Sequence, residues 1–206
     1  MDFFVIPSSS KPPTQGVNKA YLQIDNWNDF SFTTMFHLTL HDEKGRLYDI
    51  GNVKIGFKGQ EISDKTYSKL GNGFPNLVDG YFSVGETINY YKNLYKLPKT
   101  LKEELLRYLR DIAFMPEIIE DIQEEEVFRT SLLRDNSLTS IKGQFARVLV
   151  GKPELTDFNF SFFRPKSEEK DIINISFDVH ESSTPSTNIH ALIGRNGCGK
   201  TTILNG

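Results

Sequence analysis

Between Lys19 and about Lys58 the chain alternates apolar and polar side chains with the period of a strand. Tyr21-Leu-Gln-Ile24 is short and apolar. Phe30 to Leu40 is rich in aromatic residues and threonine, and Phe36, Leu38 and Leu40 alternate with His37, Thr39 and His41. That spacing predicts a strand with one wet face. Asp42-Glu-Lys-Gly45 is a turn signal, after which Arg46 to Ile50 returns as a hairpin partner. Gly51-Asn52 reads as another break before Val53 to Phe57, so three or four antiparallel strands in a meander are expected. Residues 1–16, with Ser8-Ser-Ser-Lys-Pro-Pro-Thr14, read as a flexible leader.

Gly59 to Gly80 reads as loop, with one helical turn around Lys65 to Leu70. From about Val84 to Val150 the period lengthens to that of helices. Ser83 and Glu86 have capping-box spacing ahead of Ile88, Tyr91, Leu94 and Tyr95, and Pro98 ends that helix. Thr100 and Glu103 repeat the box ahead of the stripe Leu101, Leu105, Tyr108, Leu109 and Ile112. Pro116-Glu117 opens a short helix and Val127 to Arg134 forms another. Ser137 caps a last helix carrying Leu138, Ile141, Phe145 and Leu149, closed by Gly151. Gly143 inside it costs about 1 kcal/mol against alanine, which keeps a strand over Gln144 to Val150 as the alternative.

After Gly151-Lys-Pro153 the strand period returns. Thr156 to Phe163 carries Phe158, Phe160, Phe162 and Phe163, and Ile172 to Val179 follows a charged loop over Lys166 to Lys170. A polar loop over Glu181 to Thr187 leads into the apolar run Ile189, Ala191, Leu192 and Ile193, read as a buried strand. The fold class expected is α/β (α+β). A leader over 1–16 precedes a β-then-helical region over 17–150, and an incomplete second domain over 151–206 follows.

Composition narrows the classes. At 206 residues, 38% hydrophobic and 25% charged, the chain can bury a core as one or two domains. A formal net charge of -3 gives no global basic field to favour nucleic acid or an anionic membrane. The single cysteine, Cys198, excludes an internal disulfide and fits a reducing, cytoplasmic setting. The N-terminus lacks the features of a signal peptide, and no window approaches the roughly 18 apolar residues of a membrane span.

The sharpest chemical signal is Gly194-Arg-Asn-Gly-Cys-Gly-Lys-Thr-Thr202, which fits G-x-x-x-x-G-K-[ST] with Gly194, Gly199, Lys200 and Thr201 at the fixed positions. A polyphosphate is crowded with negative oxygens, and small residues let backbone N–H groups approach them closely. The helix that follows aims its free N–H groups and positive dipole end at the same anion. Lys200 then reaches the terminal phosphates and the Thr201 hydroxyl is placed to hold Mg²⁺. The nucleotide-binding set is Gly194, Arg195, Asn196, Gly197, Cys198, Gly199, Lys200, Thr201 and Thr202. Lys200 is the catalytic candidate and Thr201 the metal ligand.

The stretch Ala191-Leu-Ile-Gly-Arg-Asn-Gly-Cys-Gly-Lys-Thr-Thr202 resembles the P-loop of ABC-type ATPases. It is most similar to the soluble branch that includes SMC-type, RecF-like and OLD-like ATPases and bacterial AAA-family defence ATPases. Ile172-Ile-Asn-Ile-Ser-Phe-Asp-Val179 resembles the strand that precedes the P-loop strand in that fold. The resemblance covers about residues 154–206. It implies ATP and Mg²⁺ as cofactors, hydrolysis driving a conformational cycle, and a homodimer in which each site is completed by the opposite subunit. It also implies a carboxylate-bearing strand and a signature sequence downstream. The chain stops at Gly206, so it is expected to be the N-terminal part of a larger ATPase or a truncated product. In the ABC-type reading, Phe163 or Phe162 lies where an aromatic stacks on adenine; core packing is the blander reading and the favoured one.

Other candidates are weighed the same way. Cys198 could act as a redox switch at a helix start, but the position demands small size, which favours a tolerated small residue. Arg195 and Asn196 contribute backbone first, with a side-chain role evenly balanced. His37 and His41 share a strand face without an accompanying ligand cluster, so a solvated face is favoured over a metal site. Arg129, Arg134, Lys142 and Arg147 form a modest basic group that could touch a phosphate backbone, but with Glu124-Glu-Glu126 nearby it reads as a solvated helix face. Glu103, Glu104 and Asp111 are read as the exposed side of a helix. The competing function is a non-catalytic interaction module with a vestigial P-loop. A kinase or GTPase is disfavoured because a hairpin precedes the loop strand.

Overall fold

The computed structural model describes residues 1–27, 30, 32–166, 172–180, 183, 187, 190, 191, 193, 195, 200 and 201. Two compact units emerge, Met1–Glu154 and Leu155–Gly206. The architecture is mixed, with strands and helices largely segregated along the sequence, which makes the chain α+β.

The first unit is built on a six-stranded sheet. Its strands are β1 (Asp2–Ile6), β2 (Lys19–Ile24), β3 (Met35–His41), β4 (Leu47–Phe57), β5 (Gly73–Phe74) and β6 (Tyr81–Gly85), in the spatial order β5-β1-β2-β3-β4-β6. The pairs β2–β3, β3–β4 and β4–β6 are antiparallel, as the alternation and the turn at Asp42 to Gly45 require, and β1 joins β2 in parallel. One face carries Phe3, Ala20, Leu22, Phe36, Leu38, Leu40, Val53 and Ile55, all buried. These side chains form one continuous core with α2 (Ile88–Tyr95), α3 (Lys99–Tyr108) and α4 (Ile118–Ile122), together with α1 (Thr66–Leu70) at its edge. Burying such side chains contributes about 1.5–3 kcal/mol each, which is what the repeated apolar periodicity supplies.

Several local expectations change. The N-terminus is not a loose leader. Phe3 is buried and stacks on Phe74 at 5.1 Å, and β1 pairs with β2 over five residues. The Ser/Pro-rich stretch behind β1 is pinned where Gln23 Nε2 donates to the carbonyls of Ser8 and Ser10 at 3.0 and 2.7 Å. Gly16 lies so close to His41 that a Cβ there would sit 2.9 Å from the ring nitrogen. The low hydrophobicity of 7–16 hid the apolar run Phe3 to Ile6 in front of it.

Gly51-Asn52 is not a break between strands. Leu38 pairs with Gly51 and Thr39 with Asp49, so Ile50 is an extra residue inside a single eleven-residue β4. Gly51 takes φ +111°, a left-handed value that glycine adopts without strain, and the result is a β-bulge. A bulge flips the in/out parity of the strand beyond it. Asp49 and Asn52, three apart, therefore both flank His37.

Both capping boxes fail. Ser83 lies in β6 and its Oγ donates to the Leu109 carbonyl at 2.6 Å, because Phe82 and Val84 are buried and claim the segment for the sheet. α2 instead starts after Thr87. In α3 the N-cap is Pro98 at φ −51°, and no side chain caps it. Proline's fixed φ suits the end of an extended segment, and it places Thr100 inside the helix rather than ahead of it.

Ser137 does start the last helix: the Ser140 N–H donates to its Oγ at 3.0 Å and the Ile141 N–H to its carbonyl at 3.0 Å. The strand alternative over Gln144 to Val150 is thereby excluded, since α5 (Ala146–Leu149) completes that helix. Its middle, Ser140–Phe145, is wound as a π-helix, and so is Phe128–Leu132. The second case has a visible cause. The buried Lys54 ammonium takes the Ser131 carbonyl at 2.8 Å, drawing it out of the ordinary helical ladder.

The second unit is organised on a hairpin of β7 (Phe158–Arg164) and β8 (Ile173–Val179), paired from Phe158↔Val179 to Arg164↔Ile173. No described helix is long and apolar enough to cross a membrane.

Candidate functional site

The hairpin sorts its side chains cleanly. Phe158, Phe160 and Phe162 share a face with Ile173, Ile175, Phe177 and Val179. Phe160 stacks on Phe177 at 4.6 Å and on Phe158 at 6.1 Å. The opposite face is polar. Asn159 donates to Asp178, Ser161 and Ser176 share a hydrogen bond of 3.0 Å, and Phe163 is the aromatic residue among them, well exposed. Phe162 therefore belongs to the apolar face. Phe163 presents a ring to solvent, which corrects the core-packing preference for that residue.

Beyond β8 the backbone folds back on itself. The Thr187 hydroxyl donates to the His180 carbonyl at 3.1 Å and accepts the His180 N–H at 2.6 Å, and the Ser183 hydroxyl donates to the same carbonyl at 2.9 Å. His180 also meets Asp157 at 3.2 Å. These short side chains close the polar loop that the composition suggested. His190 then sets its ring edge against Phe177 at 5.1 Å. The expected buried strand over Ile189 to Ile193 is not seen at its described residues. His190, Ala191 and Ile193 have no strand partner, and Ile193 is 92% exposed. A parallel strand is buried only when strands flank it and helices cover both faces. Among the described residues of this unit the hairpin is the only sheet.

Of the residues expected to form a phosphate-binding loop, Arg195, Lys200 and Thr201 are described. Lys200 and Thr201 have helical backbone. The Lys200 ammonium donates to the Arg195 carbonyl at 2.9 Å. Gly194, Asn196, Gly197, Cys198, Gly199 and Thr202 lie outside the described residues.

The candidates in the first unit resolve differently from their sequence reading. Asp111 is not on an exposed helix side. It is fully buried, its Oδ1 accepting the N–H groups of Ala113 and Phe114 at 2.9 and 3.3 Å and its Oδ2 the Tyr91 hydroxyl at 3.2 Å. Burial pushes its pKa up to about 7 against the pull of those donors. The same burial, with Asp111 nearby, drives Tyr91 and Tyr90 well above the usual tyrosine range. His41 is not solvated either, but buried against the edge of Tyr21. Among the described residues no group of three or more His, Cys, Asp or Glu side chains could hold a metal ion. Arg129 is engaged by Glu124 and the Gln123 carbonyl, and Arg134 stacks between Trp27 and Phe30 at 5.7 and 4.9 Å.

Sequence reasoning missed the grouping of His37, Asp49, Asn52 and Glu86. The one signal available was Gly51-Asn52 read as a bulge rather than as a turn.

The chain is 52% identical over all 206 residues to Protein ea59 of Escherichia phage lambda, and spans 39% of that protein's length. No family model and no solved structure matches it.

Proposed function

We propose that the second unit carries the phosphate-binding loop of a soluble ABC-type ATPase, and that the whole protein binds Mg²⁺–ATP and hydrolyses it to drive a conformational cycle. The observation that carries this reading is the spacing from Gly194 to Thr201, with helical backbone at Lys200 and Thr201 and the Lys200 ammonium reaching back across the loop to Arg195. An ammonium held at a loop carbonyl is positioned to exchange it for phosphate oxygens. Lys200 and the loop amides would then stabilise charge on the transferring phosphoryl group, and the Thr201 hydroxyl would ligate Mg²⁺. The exposed Phe163 ring is available to stack on a base. In the resembled fold, catalysis also needs a carboxylate downstream of the P-loop and an opposing subunit.

The test is equilibrium binding of a fluorescent Mg²⁺–ATP analogue to the 206-residue chain and to Lys200→Ala. Weak saturable binding that falls at least tenfold in the variant supports the loop. Identical binding by both, or none by either, sinks it. Phosphate release by the whole protein that persists unchanged in Lys200→Ala would overturn the catalytic role given to Lys200.

A non-catalytic interaction module is the second reading. It is favoured by the exposed Trp27 and Phe30 flanking Arg134, since Trp and Arg are the side chains that dominate binding hot spots. Partner capture that survives Lys200→Ala but fails in Trp27→Ala would select it.

A further inference from the structure

The bulge in β4 assembles a hydrogen-bonded chain that neither strand could make in regular register. His37 on β3 pairs directly with Asn52. Its Nδ1 lies 2.8 Å from Asn52 Oδ1, and its Nε2 lies 2.7 Å from Asp49 Oδ1 on the other side of the bulge. In a regular strand residues three apart point to opposite faces. The extra residue Ile50 brings Asp49 and Asn52 onto the face of His37.

The orientation of the Asn52 amide is not arbitrary. Its Nδ2 donates to Glu86 Oε2 at 2.9 Å, so its oxygen must face His37. Turning the amide over would set its oxygen against a carboxylate. Both imidazole nitrogens therefore face acceptors, and a ring that donates from both nitrogens carries two protons. Glu86 is tied in twice more. Its N–H donates to the Asn52 carbonyl at 2.9 Å, and its carbonyl accepts Asn136 Nδ2 at 2.9 Å. Glu86 lies between β6 and α2, so the chain runs from the β3–β4 pair to the entry of the helix whose Tyr90, Tyr91 and Leu94 are buried in the core.

We infer that His37 is a proton-controlled latch: its doubly protonated ring clamps the two sides of the β4 bulge and, through Asn52, fixes Glu86 at the entry to α2. The charged groups around it are Asp49, on its ring nitrogen, Glu86, joined to it through Asn52, and Asp25 after the end of β2, which lines the same open hollow of about 400 Å³ with Ser8, Gln23 and Asn26. When the ring gives up one proton it has one N–H for two acceptors. The Asp49 or the Asn52 link must then break, and the constraint on the amide facing Glu86 is released.

The experiment is nitrogen-15 NMR of the intact 206-residue chain from pH 5 to pH 9. It follows the ring nitrogens of His37, the side-chain amide of Asn52 and the backbone amide of Glu86. The latch is supported if both ring nitrogens are protonated on the acid side and the Asn52 and Glu86 signals move in step with the ring. Those signals should lose that pH response in His37→Gln. Should that variant fail to fold, Glu86→Gln serves, because its neutral amide can meet either face of Asn52; there Asn52 can turn over freely and the backbone amide at position 86 no longer moves in step with the ring. A His37 ring that holds one proton across the whole range overturns the inference. So does an Asn52 response that persists unchanged in His37→Gln, or a response of the position-86 amide that persists unchanged in Glu86→Gln.

Discussion

Phenylalanine-rich strands occur in both units and meet different ends. Phe3, Phe36 and Phe82 on the sheet of the first unit are essentially inaccessible, whereas Phe158, Phe160 and Phe163 on the hairpin are each about half exposed or more. The alternation that marks the strands is equally clear in both. What differs is the cover. In the first unit the helices that follow the sheet lay Tyr90, Tyr91, Leu94, Leu105 and Leu106 into the core it shares with Phe3 and Phe36, and Phe82, opposite Gly56 on the other face, is met by Phe128. In the second, the contacts on the apolar face of the hairpin among the described residues are its own ring stacking, from Phe158 through Phe160 to Phe177, and the edge of His190. An isolated two-stranded hairpin is marginal in water, and a third layer is what converts alternation into stability. Alternation thus tells which face seeks burial, not whether anything buries it.

The sharpest way to break this comparison is a matched pair of truncations. Phe82→Ala removes a buried ring that meets Phe128 edge-on at 6.0 Å, and should cost about 3–5 kcal/mol. Phe160→Ala removes a ring of similar size from the hairpin and should cost about 1 kcal/mol or less, since it forfeits stacking more than burial. The single tryptophan, Trp27, lies in the first unit, so its fluorescence during urea unfolding reads that unit directly. A Phe160→Ala variant whose fluorescence midpoint falls as far as that of Phe82→Ala would show that the two units share one core.

The next largest effect distinguishes the units by pH. Asp111 binds its proton more tightly folded than unfolded, because burial lifts it from the ordinary carboxylate range to about 7. Where the folded state holds more protons, stability falls as pH rises. The first unit should therefore lose stability between about pH 4, near the unfolded carboxylate value, and about pH 7, and level off above that. Asp111→Asn keeps an oxygen for the Ala113 and Phe114 N–H groups and an amide for Tyr91. It should flatten that slope, leaving the variant relatively more stable at pH 8 than at pH 5. Thermal melts across that range check this, and an unchanged slope would reassign the pH dependence to another group.

Much of the first unit was legible because its signals are short-range. The antiparallel order of β2, β3 and β4 follows from alternation plus the turn at Asp42 to Gly45, and Ser137 announces its helix by capping chemistry alone. Illegible features depend on partners distant in sequence. β1 is a strand because β2 lies beside it, and nothing in Asp2 to Ile6 names that partner. Ser83 looked like a helix cap until the sheet claimed Phe82 and Val84. Asp111 looked like one more surface carboxylate, since burial of a charge leaves no local trace. The bulge at Ile50 was concealed by its own glycine, which signals a turn and a bulge with the same residue. For the candidate site the motif was fully legible as a pattern. The strand expected to enter it is not seen at its described residues, His190, Ala191 and Ile193, and burial of a strand is decided by neighbours outside the motif.

The smallest effect tests how far local propensity still counts inside the well-packed unit. Gly143 lies in the π-helical middle of the last helix, and a Cβ built on it meets nothing within 4 Å. Its φ is not among the left-handed values, so an alanine fits the backbone without strain. Gly143→Ala should then stabilise the first unit by about 0.5–1 kcal/mol, mainly by restricting the unfolded chain. Gly151, eight residues on, is the control. It sits at φ +76°, and an added Cβ would lie 2.5 Å from the Tyr95 hydroxyl, so the same substitution there must destabilise. Opposite shifts of the two midpoints would show that this helix is limited by glycine entropy within and needs glycine only where it ends. If Gly143→Ala also lowered the midpoint, the π-helical winding itself would need the glycine, and the extra residue in that turn would be a built feature of the fold rather than a tolerated one.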